Sequence, residues 1–282
     1  MIFALVFLIF APFFVGFFAL CFMSKRKKTG VLLFHRISKK MPLSLSQISV
    51  KQFEIFCEEL SFSQKKSVTF SNFSMRNDEV CISFDDGHKS VFTLAFPVLK
   101  RYGFTATVFV ASAIIDGEKV EDFYSTNEMM NAENLLELSQ NGWEIASHGV
   151  KHLDFTLLDD KNLREELLFS KEKLQNLTKK NVSALSFPYG SWNERTIKIA
   201  KECEYKKFSV YRKHKFADGK NIIPATAIYP FDNKKDMKNK ISGEICGLTK
   251  LTSIIVPHFA KGTPIFFWNK HYNLNANKTK LT

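Results

Sequence analysis

Cysteine is scarce in this 282-residue chain, and no two of its five cysteines are spaced as CxxC. Cys21, Cys57, Cys81, Cys203 and Cys246 are scattered and odd in number, which argues against a disulfide-stapled domain and against zinc-finger spacing. Glycine (12) and proline (8) are also few, and neither a glycine-rich dinucleotide fingerprint nor a P-loop follows any predicted strand. Negative charge is short as well: 28 acidic against 40 basic residues give a net charge of +12. With no aromatic-rich RNA motif and no recognition helix, that excess does not point to nucleic acid, and no nucleic-acid partner is expected. The most complete absence is local. Met1 to Met23 holds no charged residue at all.

That first stretch is almost wholly apolar and long enough to cross a bilayer as a helix, which takes about 20 residues. Its start is uncharged and no small-residue cleavage site precedes Ser24, so it reads as a retained membrane anchor rather than a cleaved signal. Lys25-Arg26-Lys27-Lys28 follow at once, and by the positive-inside rule they point the remainder of the chain towards the cytoplasm.

What is present beyond the anchor is a regular alternation. VLLFHRI (31–37), VCISF (80–84), ATVFV (106–110), EIAS (144–147), ALSF (184–187), KFSV (207–210) and TSIIV (252–256) read as seven main strands. Helical patterns separate most of them: Val50 to Leu60, Lys89 to Tyr102 with a possible kink at Pro97, and stretches capped by Asn131, by Asp159 or Asp160, and by Asn193. Ile222 to Ile228 is a weaker strand signal, and Phe231 to Lys240 is too polar for core. Strands alternating with helices predict a parallel α/β fold, a barrel first and an open doubly wound sheet second.

Chemistry-bearing residues gather where strands end. Asp85-Asp86-Gly87 ends one strand, Ser147-His148-Gly149-Val150-Lys151-His152 another, and Phe187-Pro188-Tyr189-Gly190 a third. In a parallel barrel the C-terminal ends of the strands form one face, where active sites assemble. His148 and His152, four apart, can face one metal ion with a strand-end carboxylate, the pattern of a catalytic zinc site. One of the two aspartates can ligate the metal while the other accepts a proton from water. The stiff Pro188-Tyr189-Gly190 turn can aim a backbone N–H at a developing oxyanion.

On these residues the sequence resembles the polysaccharide deacetylases, the NodB homology family also grouped as carbohydrate esterase family 4. The motifs are FDDG (84–87), SHGVKH (147–152) and FPYG (187–190), with VLLFHRI and TATVFV in support. The resemblance is closest in look to the branch acting on poly-N-acetylglucosamine. It implies a distorted (β/α)7 barrel, here preceded by the transmembrane helix, and one divalent metal, zinc first and cobalt or nickel as alternatives. It implies Asp85 as the general base, Asp86, His148 and His152 as metal ligands, and the backbone of Tyr189 at the oxyanion, with Pro188 and Gly190 shaping the substrate side. His258 is the candidate general acid. The implied segments are an anchor over 1–23, a juxtamembrane and first barrel part over 24–75, the deacetylase domain over 76–268 and a basic tail over 269–282.

Two positions depart from the family pattern. Gly149 stands where a Ser or Thr is usual, and Ser186 where many members have an arginine that braces the catalytic aspartate. His35 and His88 lie near the site by strand position without an assigned role, and Ala225 stands where the branch often has an arginine. The leading expectation is a membrane-anchored, metal-dependent enzyme that removes N-acetyl groups from a glycan. A tethered glycan-binding protein with a degenerate site is the alternative, and a hydrolase of lipid-linked sugars at the cytoplasmic face a third. The basic flank favours the cytoplasm for the catalytic domain, and the resemblance favours the outside.

Overall fold

A computed structural model describes residues 26–27, 30–39, 44–118, 128–211 and 220–245. The expected anchor Met1 to Met23, the strand 252–256, His258 and the tail 269–282 lie outside these residues. Among the described residues no helix is long and apolar enough to cross a membrane.

Eight extended segments form the main path of the nine-stranded central sheet, β1 (Val31–Phe34), β2 (Glu79–Phe84), β3 (Thr107–Val110), β4 (Glu144–Ser147), β5 (Ala184–Ser186), β6 (Lys207–Val210), β7 (Ile222–Pro224) and β8 (Thr226–Ala227), and the short strand Lys66–Ser67 pairs with the start of β2. Their order is β7-β6-β5-β4-β3-β2-β1-β8, every pair parallel. From β1 to β7 each strand lies beside its predecessor, so the sheet winds in one direction and the doubly wound alternative is excluded. The two ends of the order are consecutive in sequence. Only Ala225 separates β7 from β8, and its N–H donates to Val210 O at 2.8 Å while Ile228 N–H donates to Leu33 O at 3.0 Å. One bent segment thus pairs with both edges and draws the sheet into a nearly closed barrel. The seventh stave is therefore Ile222–Ala227, the segment whose sequence signal was weak.

Alternation along each strand separates two cores. Leu32, Phe34, Val80, Ile82, Phe84, Val108, Val110, Ile145, Leu185 and Phe208 join the helices in the outer core. Val31, Leu33, Cys81, Phe109, Ala146, Ala184, Ile223 and Ala225 fill the barrel interior. Phe70 and Phe73, on the loop before β2, close the N-terminal end of that interior. Lys207 Nζ holds the loop through the carbonyls of Phe70, Ser71 and Phe73 at 3.3, 2.6 and 2.8 Å.

The helices are α1 (Val50–Phe62), α2 (Phe96–Arg101), α3 (Ala132–Gln140), α4 (Asp160–Thr178), α5 (Glu194–Glu202) and α6 (Lys234–Ser242). Ser49, Asn131, Asp159, Asn193 and Asn233 cap the first, third, fourth, fifth and sixth by accepting from backbone N–H groups. The single helix expected over Lys89 to Tyr102 is instead a π-turn, Val91–Ala95, running into α2, with Phe96 N–H bonded to Val91 O. Pro97 has no N–H to continue the regular ladder, which accounts for the change of pitch at that point. The expectation that Phe231 to Lys240 stays out of the core is also overturned. Met237, Lys240 and Ile241 of α6 are buried, and Lys240 enters only because Asp232 neutralises it at 2.5 Å.

Candidate metal centre

Strand parity sets the upper layer of the barrel. The inward series Val31, Leu33 continues to His35; Cys81, Ser83 to Asp85; Ala146 to His148; and Ala184 to Ser186. Parallel register holds these series level: Leu33 pairs with Ser83, Asp85 N–H donates to Phe34 O at 3.0 Å, and His148 N–H donates to Val110 O at 2.9 Å. Period-2 alternation alone therefore delivers His35, Asp85, His148 and Ser186 to one end of the interior.

The turns after the strands complete the group. Asp86 (φ 75°), His152 (φ 58°) and Tyr189 (φ 58°) all adopt left-handed backbone, which non-glycine residues seldom do. Such strain persists where surrounding contacts enforce it, and here it turns three side chains towards one point. His152 Nε2 lies 3.3 Å from Asp86 Oδ1, His148 Nε2 3.6 Å from the same oxygen, and the two Nε2 atoms 3.1 Å apart. Ligands about 2.0–2.1 Å from a tetrahedral ion stand about 3.3 Å from one another. The three donor atoms therefore fit a single divalent cation, and among the described residues Asp86, His148 and His152 are the one cluster with that geometry.

The surroundings prepare each ligand. His148 Nδ1 lies 2.9 Å from Ser186 O, so its proton sits on Nδ1 and the Nε2 lone pair faces the site. Glu166, reaching in from α4, accepts from Val150 N–H at 2.7 Å and Lys151 N–H at 3.1 Å through one oxygen. That carboxylate anchors the loop between the two histidines. Burial pushes Asp86 up, but hydrogen bonds with His148 and His152 and the charges of His35 and His152 outweigh it, holding the carboxyl well below its ordinary range.

Asp85 lies beside this triad and differs from it. It is 5% exposed, and burial raises its pKa against the opposing charges of His148 and His35. Ser186 Oγ donates to Oδ2 at 2.9 Å, while Oδ1 is buried without a hydrogen-bond partner among the described residues. Ser186 thus fills the bracing position that lacks an arginine. The sequence left His35 without a role, yet its charge acts on both Asp85 and Asp86. His88 instead turns its Nδ1 to Ser90, 2.7 Å from Oγ, and burial lowers its pKa to about 4. Pro188 is buried, and the ring of Tyr189 lies 4.8 Å from that of His152. Gly149, at φ 79°, leaves no space for the expected hydroxyl: a Cβ there would stand 2.9 Å from Phe155 and 3.0 Å from Glu166 Oε2.

Comparison with known proteins agrees with this geometry. Residues 74–208 match the polysaccharide deacetylase family model. A Bacillus subtilis protein, YxkH, named for the same family, is 30% identical over 189 residues, covering 64% of this chain and 63% of its own length. The poly-beta-1,6-N-acetyl-D-glucosamine N-deacetylase of Staphylococcus aureus is 25% identical over 181 residues, covering 56% and 59%. The chain thus spans less than two thirds of the length of either curated relative. Among solved structures, the Streptococcus pyogenes deacetylase PplD superposes with a TM-score of 0.67 at 19% identity, covering 77% of this chain and 99% of that one. IcaB from Ammonifex degensii gives 0.63 at 21% identity, covering 77% and 98%. These structures share the fold.

Proposed function

We propose that this chain, whose residues 74–208 match the polysaccharide deacetylase family model, is a polysaccharide deacetylase, a metal-dependent hydrolase that removes N-acetyl groups from a glycan. The observation that carries the reading is the Asp86–His148–His152 triad with Asp85 fixed beside it. The name of the Staphylococcus aureus relative supports an N-acetylglucosamine polymer as substrate. Two imidazoles and a carboxylate suit zinc, with cobalt or nickel as alternatives. A divalent cation held there supplies Lewis acidity, polarising the acetyl carbonyl and making water a nucleophile near neutral pH.

The residues of the chain divide the remaining work. Asp85 takes the proton of the attacking water, oriented by Ser186 through Oδ2. The amide C–N bond breaks, acetate and a free amino sugar leave, and the amine takes up a proton. The backbone N–H of Tyr189, on a strained turn against His152, is assigned to the oxyanion. His35, on the same layer as Asp85, is assigned as the proton donor ahead of His258. His35→Ala should lower kcat about 100-fold or more, with His258→Ala closer to wild type; the reverse order would return the role to His258.

The Ser186–Asp85 bond supports a catalytic reading over a non-catalytic glycan-binding protein. The uncharged run Met1 to Met23 supports a membrane anchor for the domain. Acetate release from chitooligosaccharides and poly-N-acetylglucosamine, with and without chelator, tests the reading. Release that stops on chelation and returns with zinc is expected; no release from any N-acetylated glycan would overturn it.

A further inference from the structure

The chain leaves the barrel at Ala227 beside β1, on the face that carries the metal centre, and at once makes a tight turn, Tyr229-Pro230-Phe231-Asp232. Each side of this turn is pinned. Tyr229 N–H donates to Asp232 Oδ2 at 2.7 Å, Asp232 N–H returns to Tyr229 O at 3.0 Å, and Gln52 Nε2 donates to Pro230 O at 2.5 Å. Asp232 is paired in turn with Lys240, whose Nζ also donates to Ala227 O at 2.9 Å and lies 4.8 Å from the centroid of the Tyr229 ring. Taking such a pair out of water costs several kcal/mol per ion before attraction compensates. In this place it makes one short turn rigid.

What the turn holds outward is Phe231. Its ring is stacked on Tyr229 at 5.2 Å and 19°, yet the residue remains 48% exposed. From Tyr229 the contacts run on towards the metal centre. Tyr229 and Tyr211 share a hydroxyl hydrogen bond at 2.9 Å, and Tyr211 occupies the space a side chain at Gly190 would need, 2.8 Å from that position. Gly190 adjoins Tyr189, which packs on His152. A chain of contacts therefore links Phe231, a half-exposed ring on a pinned turn, through Tyr229 and Tyr211 to the turn beside the metal centre.

A pyranose ring presents a face of C–H groups that covers an aromatic ring while its hydroxyls stay in water. An immobilised phenyl ring offers that contact at little cost in side-chain entropy. We propose that Phe231 is the platform of an additional, remote glycan subsite, stacking a hexopyranose unit of the same glycan chain as the unit at the metal centre. This deepens the glycan reading above and rests on it. Phe231 lies several contacts away from the triad, so it acts on oligomers and not on a single sugar.

Binding of N-acetylglucosamine and of its pentamer to full-length, zinc-loaded Asp85→Asn protein tests the proposal by calorimetry without turnover. Adding Phe231→Ala should weaken the pentamer about 3- to 10-fold. The single sugar serves as internal control, and Phe231→Trp should restore the affinity. Unchanged pentamer affinity in Phe231→Ala would overturn the subsite, as would equal weakening for both ligands. A lowered Tm with unchanged pentamer affinity would instead assign the ring to chain beyond residue 245, and would also overturn it. Because binding is read separately from acetate release, failure of the subsite and failure of the deacetylase reading are distinguishable.

Discussion

At the residue scale, the metal centre depends on groups that never touch the cation. Glu166 is the clearest. It fixes the backbone between His148 and His152 from a helix that the motif does not contain. Glu166→Gln, which keeps the shape and removes the charge, should raise the metal Kd about 10- to 100-fold, measured by competition with a chromophoric chelator. Affinity equal to wild type would deny the residue its positioning role. The cluster of Asp86, His148 and His152 was legible in the sequence because each motif is contiguous and its strand ends where the carboxylates or imidazoles begin. Ser186 was legible only as a departure. Its partner Asp85 lies 101 residues away, and no local pattern encodes a hydrogen bond across that distance.

At the scale of elements, the loop 147–152 shows how one absent side chain sets a geometry. Gly149 is left-handed and pressed against Phe155 and Glu166. Gly149→Ala should destabilise the fold by about 1–3 kcal/mol and weaken metal binding in parallel, read by thermal unfolding with and without zinc. A hydroxyl at this position would find no room, because Phe155 and the Glu166 carboxylate already fill the space beside the glycine. Helix boundaries were largely readable, since Asn131 and Asn193 each sit where the apolar period begins. The π-turn at Val91–Ala95 was not readable in full. Pro97 announces an interruption, but the proline by itself does not say that the turn before it takes the wider pitch.

At the scale of the whole molecule, barrel closure rests on one weak segment. Ile222–Ala227 pairs with both edges through five strand residues, and Pro224 cannot donate to a ladder. Its signal in the sequence is correspondingly faint, since only a few apolar residues flank Pro224. Polar composition likewise hid α6, because Lys240 is buried only with its partner Asp232. Lys240→Met should cost about 3–5 kcal/mol in urea unfolding by leaving Asp232 buried and unpaired, and Asp232→Leu in the same protein should recover most of it. No recovery in the double variant would mean that the pair acts through something other than charge compensation.

The central claim is that the two adjacent carboxylates do different work: Asp86 holds the cation and Asp85 moves the proton. Metal stoichiometry and acetate release measured together on Asp85→Asn test it most directly. The account predicts one equivalent of tightly bound zinc, as in wild type, with acetate release from the N-acetylated glycan reduced to background. Full acetate release by Asp85→Asn, or loss of zinc along with turnover, would contradict it.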